Sequence, residues 1–502
     1  MKNTLLLFAF LFSTYNSTAQ WTQIGTDIDG ENAYDSSGSS VSLSADGSVI
    51  AISAINNDGN SYKSGHVRIY ENISGFWTQK GADIDGEEIE DYSGSSVSLS
   101  ADGSIVAISA TSNDGNGTNS GHVRIYEYSE DNWIQIGNDI DGEDAFDGSG
   151  KSIDLSDDGS IIAIGAPYND GNGSSSGHVR IYKNISGTWT QIGADIDGEA
   201  EDNDSGFSVS LSADGSIVAI GAPWNDGNGE NSGHVRVYKN ISNNWTQIGA
   251  DINGETEGDK SGSSISLSSD GSIVAIGSNE NYENGLYSGH VRIFENIAET
   301  WTQIGADIDG EAEYDYSGGS ICLSADGSIV AIGAIGSDGN GSFSGHVKVY
   351  KNTGSIWAQI GSNIEGEAAS DNSGSSISLS ANGAILAIGA PGNDGNGIKS
   401  GHTRIFTNPS LGYDTIELND SLISIYPNPV IEGYTILDNK STETLKEVLI
   451  YDINGKFILK FNLDSLNKEN MLNVSSLSSG EYFLIIKSDQ SFLTKKLIIN
   501  LN

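Results

Sequence analysis

Pairs of aspartates separated by one residue recur along the sequence and are its clearest candidates for chemistry. They are Asp27 and Asp29, Asp83 and Asp85, Asp139 and Asp141, Asp195 and Asp197, and Asp307 and Asp309. Two carboxylates about 6 Å apart repel each other by roughly 3 kcal/mol at an effective dielectric constant of about 20. A bound cation would relieve this repulsion, and clustered carboxylate and carbonyl oxygens suit Ca²⁺. The pairs therefore predict calcium as a cofactor.

Turn formation is the competing explanation for the same aspartates. Asp and Asn side chains bond to their own backbone and tolerate left-handed conformations, so they are common in tight turns. The spacing also differs from an EF-hand, whose ligands alternate through a loop of about twelve residues. Two copies lack the acidic pair, with Asn253 in one and Asn363 and Glu365 in the other. Both explanations stay open on the sequence alone.

Histidine and tryptophan follow one strict spacing of 56 residues. The two series are His66, His122, His178, His234, His290, His346 and His402, and Trp21, Trp77, Trp133, Trp189, Trp245, Trp301 and Trp357. A group present in every repeat is expected to order the scaffold, so we interpret the histidines as structural rather than as ligands or catalysts. The tryptophans are interpreted as packing anchors rather than sugar platforms. An arginine series from Arg68 to Arg404 is predicted to pair with the repeated aspartates.

Short β-strands in a repeated unit must carry these residues. Seven units of 56 residues run from Trp21 to about Leu411 without insertion or deletion. In the fourth unit, an alternating segment, a hairpin turn at 213–215 and the continuous apolar run 217–222 predict strands. Four strands per unit are typical of a propeller blade. We therefore predict an all-β chain whose main part is a seven-bladed β-propeller, with the N-terminal strand completing the last blade and removing free sheet edges.

The loops between these strands predict a binding face. Consecutive antiparallel strands reverse direction, so the two acidic loops of every unit are expected at the same end of the sheet. The later of the two loops differs between units and carries aromatic residues that suit ligand or glycan contact. These ligand-face candidates are Tyr62, Tyr168, Trp224, Tyr282, Tyr287 and Phe343. Ordinary drift of surface loops is the alternative explanation.

One unit resembles known propeller repeats. The run Gly206-Phe207-Ser-Val, followed by a Gly-Ala-Pro that ends at Pro223, resembles the FG-GAP repeats of integrin-α-type propellers, and the same unit resembles a WD-repeat blade. Both resemblances imply a β-propeller. Integrin-type repeats carry an Asp-rich calcium loop before the strand that ends in Gly-Ala-Pro, whereas this sequence has only Ser-x-Asp-Gly there, as at Ser212. The resemblance therefore does not extend to calcium at that position.

The C-terminal part, residues 421–502, is of a different kind. Its short alternating strands with Asn-Gly and Ser-Gly turns fit a small β-sandwich. Segments 423–430, 448–455, 477–484 and 495–499 resemble, in this order, the type A sorting domain of the type IX secretion system. That resemblance implies an Ig-like β-sandwich, recognition by the type IX secretion machinery, and surface anchoring of the exported protein.

Both the N-terminus and the charge predict an exported chain. Residues 1–19, with Lys2 before a short apolar run, predict a signal peptide, and the remaining boundaries are a propeller at 20–408, a linker at 409–420 and the sorting domain at 421–502. The formal net charge of −44 repels phosphate backbones, so no nucleic-acid partner is expected. No later segment is apolar enough to span a membrane. We expect an extracellular or outer-surface location, reached through the periplasm.

Function is predicted from what the repeats do and do not contain. The sequence has no nucleophile elbow, zinc-protease motif or phosphate loop, so we expect a surface binding or adhesion protein rather than an enzyme. Its ligand would be a surface protein or a glycan. A calcium-dependent multivalent lectin is one alternative. A carboxylate-based carbohydrate hydrolase is another, because glycosidases need only two carboxylates.

Overall fold

The computed structural model describes residues 20–411, 422–440, 444–452, 457–463, 469–488 and 492–500. The predicted signal peptide at 1–19 and most of the predicted linker, residues 412–420, lie outside these ranges. The chain divides into two units, residues 1–408 and 409–502. The described residues form strands and turns only, as predicted for an all-β protein. Accordingly, no helix that could cross a bilayer is found among them.

Seven antiparallel sheets make up the first unit, each with four strands in a row and one two-residue strand beside them. The inner strands are Ser37–Leu43, Val97–Leu99, Ser152–Leu155, Ser208–Leu211, Ser264–Leu267, Ser317–Leu323 and Ser376–Leu379. The second strands are Val49–Ala54, Ile105–Ala110, Ile161–Ala166, Ile217–Ala222, Ile273–Ser278, Ile329–Ala334 and Ile385–Ala390. The third strands are His66–Ile73, His122–Ser129, His178–Ile185, His234–Asn240, His290–Ile297, His346–Asn352 and His402–Thr407. The outer strands are Phe76–Gln79, Asn132–Gln135, Thr188–Gln191, Trp245–Gln247, Thr300–Gln303, Trp357–Gln359 and Thr22–Gln23.

A two-residue strand beside each third strand was not predicted. The Asp-x-Asp segment, expected to be loop, pairs with the start of the third strand because its central isoleucine is buried; Ile28 and Asp29, for example, pair with Thr403 and His402. The seven copies are Ile28–Asp29, Ile84–Asp85, Ile140–Asp141, Ile196–Asp197, Ile252–Asn253, Ile308–Asp309 and Ile364–Glu365. Each acidic pair is therefore held on β-structure at the edge of a sheet.

Neighbouring sheets are held together by apolar faces and by the tryptophan series. The second strands are buried along almost their whole length, as their continuous apolar sequences predict. Clusters of buried side chains draw on successive sheets; Val67 and Ile69 of one sheet share a cluster with Val106 and Ile108 of the next. The indole Nε1 of each series tryptophan donates a hydrogen bond of 2.7–3.2 Å to a backbone carbonyl beside the adjacent outer strand. The tryptophans thus join adjacent sheets.

Two sets of hydrogen bonds pass from sheet to sheet beside the inner strands. At the turn after each inner strand, a backbone N–H donates to the equivalent carbonyl oxygen one sheet further on, at 2.8 Å. The donors in order are Ala45, Ala101, Asp157, Ala213, Ser269, Ala325 and Ala381, and Ala381 donates back to Ala45. In the second set, a leucine N–H donates to an inner-strand side chain of the neighbouring sheet at 2.7–3.3 Å. The acceptor is a serine in five sheets, Asp154 in one and Cys322 in one. This arrangement is consistent with a β-propeller.

The outer strand of the last sheet comes from the opposite end of the unit. Thr22 pairs with Thr407 and Gln23 with Phe406, in antiparallel register. The N–H of Ile24 extends this pairing with a hydrogen bond of 2.7 Å to the carbonyl oxygen of Ile405. The other six outer strands follow their own third strand through a short hairpin turn. The last sheet is thus completed without a covalent connection between its third and outer strands.

The second unit contains two antiparallel sheets around one core. One sheet consists of Ile423–Tyr426, Tyr434–Asn439 and Glu469–Asn473, and the other, in spatial order, of Phe457–Asn462, Leu445–Asp452, Gly480–Ser488 and Phe492–Ile499. Leu437 and Leu472 of the first sheet share a buried cluster with Val448 and Leu484 of the second. Two sheets packed face to face form a β-sandwich. The Ig-like topology stays a prediction.

Substitution of the glycine after each acidic pair should strongly destabilise the first unit. A Cβ added to Gly198 would overlap the backbone carbonyl oxygen of Ser176, which belongs to the neighbouring loop and cannot rotate away. We expect Gly198→Ala to lower the free energy of unfolding by about 2–4 kcal/mol, measured by urea denaturation. The control is Gly319→Ala, where the nearest atom to an added Cβ lies 3.3 Å away and the equivalent residue of neighbouring repeats is serine. Equal losses in both variants would contradict the predicted clash.

Candidate functional site

One end of the first unit collects both variable loops of every repeat, and we call this end the loop face. It is formed by the loop that follows each two-residue strand and by the loop between the second and third strands, residues 30–36 and 55–65 in the first repeat. The two loops contact each other: Asn57 Nδ2 donates to Asp35 Oδ2 at 3.0 Å, and Asn60 Nδ2 donates to the carbonyl oxygen of Gly86 at 2.9 Å. The predicted convergence of the loops at one end is therefore present.

The first aspartate of each predicted metal pair lies between a glutamine and a histidine. Asp27, Asp83, Asp139, Asp195 and Asp307 each accept a hydrogen bond of 2.5–2.6 Å from the glutamine four residues earlier. Three of these carboxylates also lie 3.7–3.9 Å from the Nδ1 atom of a third-strand histidine. Each first aspartate thus has protein partners.

The second aspartate of each pair is more open. The side chains of Asp29, Asp85, Asp141, Asp197 and Asp309 are exposed. Burial of the carboxylate, followed by the charge of Asp83, raises the pKa of Asp85, and the pairs Asp139–Asp141 and Asp307–Asp309 show the same pattern. These three pairs therefore repel as expected from the sequence, which is the condition that a cation would relieve. Calcium at these residues stays a prediction.

The arginine series does not pair with the aspartate side chains as predicted. The Nη2 atom of Arg68 donates a hydrogen bond of 2.7 Å to the backbone carbonyl oxygen of Asp29, and five other arginines repeat this contact. The Nη1 atom of Arg68 lies 3.6 Å from a carboxylate oxygen of Glu31 instead. The sequence could not show this because the aspartate contributes its main chain, which any residue could supply.

Every histidine of the series is buried beneath the loop face. Burial, followed by a neighbouring cation, lowers the pKa of His66, His122, His234, His290 and His346 to about 4. The same causes lower the pKa of His178 and His402. All seven are therefore neutral at neutral pH and add no positive charge to the acidic loops.

A continuous strip of aromatic and charged side chains crosses the loop face where the repeats differ from one another. Lys151 Nζ lies 5.0 Å from the ring centre of Phe207, which contacts Trp224 edge-to-face at 5.0 Å. Lys260 Nζ lies 5.0 Å from the Trp224 ring on one side and 2.8 Å from Glu280 on the other. We call the set Lys151, Phe207, Trp224, Lys260 and Glu280 the aromatic strip. Its contacts are cation–π and edge-to-face pairs, which fix the positions of the rings.

A tyrosine cluster lies beside the aromatic strip. Tyr287 stacks on Tyr316 with ring centres 5.7 Å apart, and it also contacts Tyr282 at 5.2 Å and Tyr314 at 5.9 Å. The charge of Glu280 contributes to the raised pKa of both Tyr282 and Tyr316, after burial as the largest cause. Glu280 thus lies between the strip and the cluster.

The six predicted ligand-face residues are not all part of one group. Trp224 lies in the aromatic strip, and Tyr282 and Tyr287 lie in the tyrosine cluster. Tyr168 lines a cavity of about 450 Å³ together with Phe146 and Lys151, so this cavity adjoins the aromatic strip at Lys151. Tyr62 lines a cavity of about 460 Å³ with Tyr34, Lys63 and Lys399. Phe343 is exposed and belongs to none of these groups.

Several residues of this face were missed by reading the later loop alone. Tyr34, Phe146 and Tyr314 occupy one repeat position in the earlier loop, where the other copies are Glu90, Asp202, Gly258 and Ser370. All seven residues have φ between 59° and 83°, so this position is a left-handed turn that presents its side chain outward. The signal that could have found them is variation at a fixed position of the 56-residue period.

Family comparisons match two parts of the chain. Residues 424–500 match the secretion system C-terminal sorting domain family. Residues 189–238 match the FG-GAP repeat family. The resemblances to the FG-GAP repeat and to the sorting domain are confirmed. The C-terminal domain is a type IX sorting domain that interacts with the secretion machinery, and the protein is exported to the cell surface or released beyond it.

Solved structures with β-propeller folds are similar to the chain at low identity. A candidate 6-phosphogluconolactonase from Bacteroides uniformis has 13% identity and a TM-score of 0.45, over 65% of this chain and 85% of that one. The β-propeller domain of the Trilobed protease from Pyrococcus furiosus has 10% identity and a TM-score of 0.39, over 70% and 90%. The GH74 xyloglucanase from Xanthomonas campestris has 9% identity and a TM-score of 0.43, over 95% and 75%. The comparison with curated proteins finds no match.

Proposed function

We propose that this exported protein is a closed seven-bladed β-propeller that binds a ligand at the cell surface through its loop face. The observation that carries the proposal is the aromatic strip, which is built at positions where the repeats differ. Its rings and the adjoining lysines favour a glycan, because sugar rings pack on aromatic faces while their hydroxyl or acid groups bond to charged side chains. A surface protein is the other class of ligand that such a strip would suit.

Closure of the ring is supported by contacts between the first and last sheets. The N–H to carbonyl bonds return from Ala381 to Ala45, and Leu43 N–H donates to Ser378 Oγ at 3.0 Å. The pairing of Thr22–Gln23 with the last third strand adds a further connection. A closed ring would keep the seven pairs of loops in fixed relative positions, which a multipoint binding surface requires.

The lysines of the loop face support ligand contact rather than random variation. Most charged residues of the first unit are acidic, yet Lys63, Lys151 and Lys260 each lie over an aromatic ring at 5.0–5.7 Å. A lysine held over a ring offers a positive charge beside an apolar surface. A sugar that carries a carboxylate or sulfate would fit this pairing, with the anion on the lysine and the ring on the aromatic face.

Surface display and anchoring are part of the same proposal. The sorting domain within residues 421–502 would bring the propeller to the outer surface. Attachment there would hold many copies of the loop face close together, which raises the effective concentration of weak sites. A weak glycan site on each molecule would then be sufficient for adhesion.

Replacing the central rings of the aromatic strip should abolish ligand binding without unfolding the protein. The variant is Phe207→Ser with Trp224→Ser, because equivalent positions of other repeats carry Ser39 and Ser112. We expect at least about tenfold weaker binding to glycan arrays and to intact cell surfaces, since buried aromatic anchors carry most of the energy of small interfaces. Thermal unfolding should change by only a few degrees.

The control for this experiment is Phe76→Ser. Phe76 is 74% exposed, but it lies in an outer strand beside a hairpin turn, away from the loop face. Binding that survives in both variants, or that is lost equally in both, would contradict the proposed site. The same array repeated with EDTA distinguishes a calcium-dependent lectin, and release of reducing sugar from a bound glycan would identify a hydrolase.

A further inference from the structure

One repeat carries an additional carboxylate beside its buried histidine. Glu283 occupies a position at which the other six repeats have glycine: Gly59, Gly115, Gly171, Gly227, Gly339 and Gly395. The backbone at this position is conserved in geometry, since Glu283 N–H donates to Asn281 Oδ1 at 2.8 Å just as Gly59 N–H donates to Asn57 Oδ1 at 2.7 Å. The substitution therefore adds an acidic side chain to an unchanged loop.

Four potential metal ligands converge around this side chain. One oxygen or nitrogen atom from each of Glu255, Glu283, His290 and Asp307 lies within 4.8 Å of the corresponding atom of the other three. The residues come from separate positions of two successive repeats. His290 begins a third strand, and Asp307 directly precedes the two-residue strand that pairs with it. The group is thus assembled on β-structure rather than within one mobile loop.

His290 is buried without a partner at the base of this group. Its relative exposure is 0%, and both Nδ1 and Nε2 are buried without a hydrogen-bond partner. A buried polar atom left unpaired is costly, so such an atom directed at three carboxylates points to a missing ligand. A neutral imidazole coordinates a metal through the lone pair of one ring nitrogen, and neither nitrogen of His290 is engaged by the protein.

The other repeats have a smaller group at the same place. Groups of three residues lie around His66, His122, His178 and His402, for example Glu31, His66 and Asp83. In the other six repeats the histidine Nδ1 lies 3.7–3.9 Å from a carboxylate oxygen, whereas no such contact within 4.0 Å is found for His290. The fifth repeat therefore differs in two ways, with one more acid and a histidine displaced from its usual carboxylate.

The charges around the group leave it strongly negative. Asp259 and Asp309 also face it, and Arg292 is the cation beside it, with Nη1 3.6 Å from Glu255 Oε1. Burial, together with the charges of Asp307 and Glu283, raises the pKa of Glu255 despite that arginine. One arginine does not neutralise five carboxylates, and a divalent cation would reduce the remaining negative charge.

We propose that Glu255, Glu283, His290 and Asp307 bind one transition-metal dication of the Zn²⁺ class. Four ligands that include an imidazole nitrogen complete a tetrahedral zinc site, whereas three ligands leave it open. Calcium is coordinated by oxygen alone and disfavours an imidazole. Asp307 also belongs to one of the aspartate pairs at which calcium is predicted, so at this one pair the proposal replaces calcium with zinc. Glu255 follows a two-residue strand of the fourth sheet, whereas His290 and Asp307 lie on the fifth, so the metal would tie the fourth and fifth sheets together.

Zinc titration of the metal-free full chain tests the site. We expect one equivalent of Zn²⁺ by calorimetry, confirmed by metal analysis after dialysis, and a rise in the unfolding temperature on addition of Zn²⁺. Loss of an outer partner of a metal ligand costs about 10–100-fold in affinity. Loss of the direct ligand in Glu283→Gly should therefore weaken binding by at least about tenfold. This variant restores the residue of the other six repeats, so its folding is not at risk.

The matched gain-of-site variant is Gly171→Glu in the third repeat. This change places a third acid, and so a fourth potential ligand, beside Glu143, His178 and Asp195, and an added Cβ meets only side-chain atoms there. We expect it to raise the stoichiometry from one to two equivalents of Zn²⁺. Absence of binding, several equal sites unaffected by Glu283→Gly, or tighter binding of Ca²⁺ than of Zn²⁺ would each overturn the proposal.

Discussion

Acidification from pH 7 to pH 5 is expected to destabilise the first unit more than any single substitution. Seven buried histidines are responsible, five of them with a pKa of about 4 in the folded protein. A histidine in an unfolded chain has a pKa of about 6.5. Between these two values the unfolded chain takes up protons that the folded chain cannot accept. Stability is therefore complete above pH 6.5 and is lost as the pH falls toward 4.

The size of this effect follows from the number of histidines. At pH 5 each of them disfavours the folded state by about 2 kcal/mol, so five reach about 10 kcal/mol, which is comparable to the whole stability of a typical domain. Carboxylates whose pKa is raised by burial act in the opposite direction, and the pKa reaches about 6 for Asp154 and Asp204. Other carboxylates with a raised pKa, such as Asp141, are offset by hydrogen-bonded aspartates with a lowered pKa, such as Asp214. The histidines therefore set the direction of the dependence.

Urea unfolding at a series of pH values measures this dependence directly. The free energy of unfolding should fall steeply between pH 6.5 and 5, with more than one proton taken up on unfolding. His122→Gln removes one titrating group and should make the dependence shallower by about one-seventh, while the other six repeats stay unchanged. A stability that is flat from pH 7 to 5 would show that the histidines can be protonated in the folded protein.

Deletion of Trp21–Gln23 should cost more stability than a local change in any other outer strand. The three residues supply the indole hydrogen bond to Ile360, the buried Trp21 side chain and the pairing with the last third strand. Loss of one buried tryptophan alone typically costs about 3–5 kcal/mol. Since no hairpin turn holds this strand in place, its loss also exposes an unpaired sheet edge that favours self-association. Urea unfolding and size-exclusion chromatography would measure both effects.

A circular permutant of the first unit is the control for this deletion. Asn408 and Trp21 are placed like Asn240 and Trp245, which a four-residue turn connects. A chain in which that turn joins residue 408 to residue 21, with new ends between 240 and 245, should retain its stability within about 1 kcal/mol. Full stability of the deletion variant would instead mean that the N-terminal strand is not needed to hold the sheets together.

The strand content and the number of sheets could be predicted because they depend on residue patterns that repeat. The apolar run at 217–222 and the turn at 213–215 identify two strands, and equivalent segments recur in every copy. The 56-residue spacing of Trp and His gives the number of copies, which is seven. The two-residue strands could not be predicted in this way. Ile28 is a single apolar residue between two acids, and its burial depends on a neighbouring loop rather than on a local pattern.

The candidate site was only partly predictable for a related physical reason. An exposed aromatic residue in a variable loop, such as Tyr168, is visible in the sequence as a departure from the repeat. The partners of such a residue depend on how two repeats approach each other. Phe207, for example, contacts Trp224 of its own repeat and Lys151, which lies one full period earlier in the sequence. The additional carboxylate at Glu283 is likewise visible as a change from glycine, but only the structure places it beside His290.

The circuit of backbone hydrogen bonds from Ala45 to Ala381 and back has a consequence for how such a gene can change. An open solenoid can gain or lose a whole repeat because each unit contacts only its neighbours. In this closed series of hydrogen bonds each sheet already has a partner on both sides, so an eighth sheet would have no free neighbour to bond to. With six sheets, the bonds between the first and last sheets could not form. We therefore expect diversification to proceed by point substitution within the seven units, as Glu283 and Phe207 illustrate, and not by change in their number.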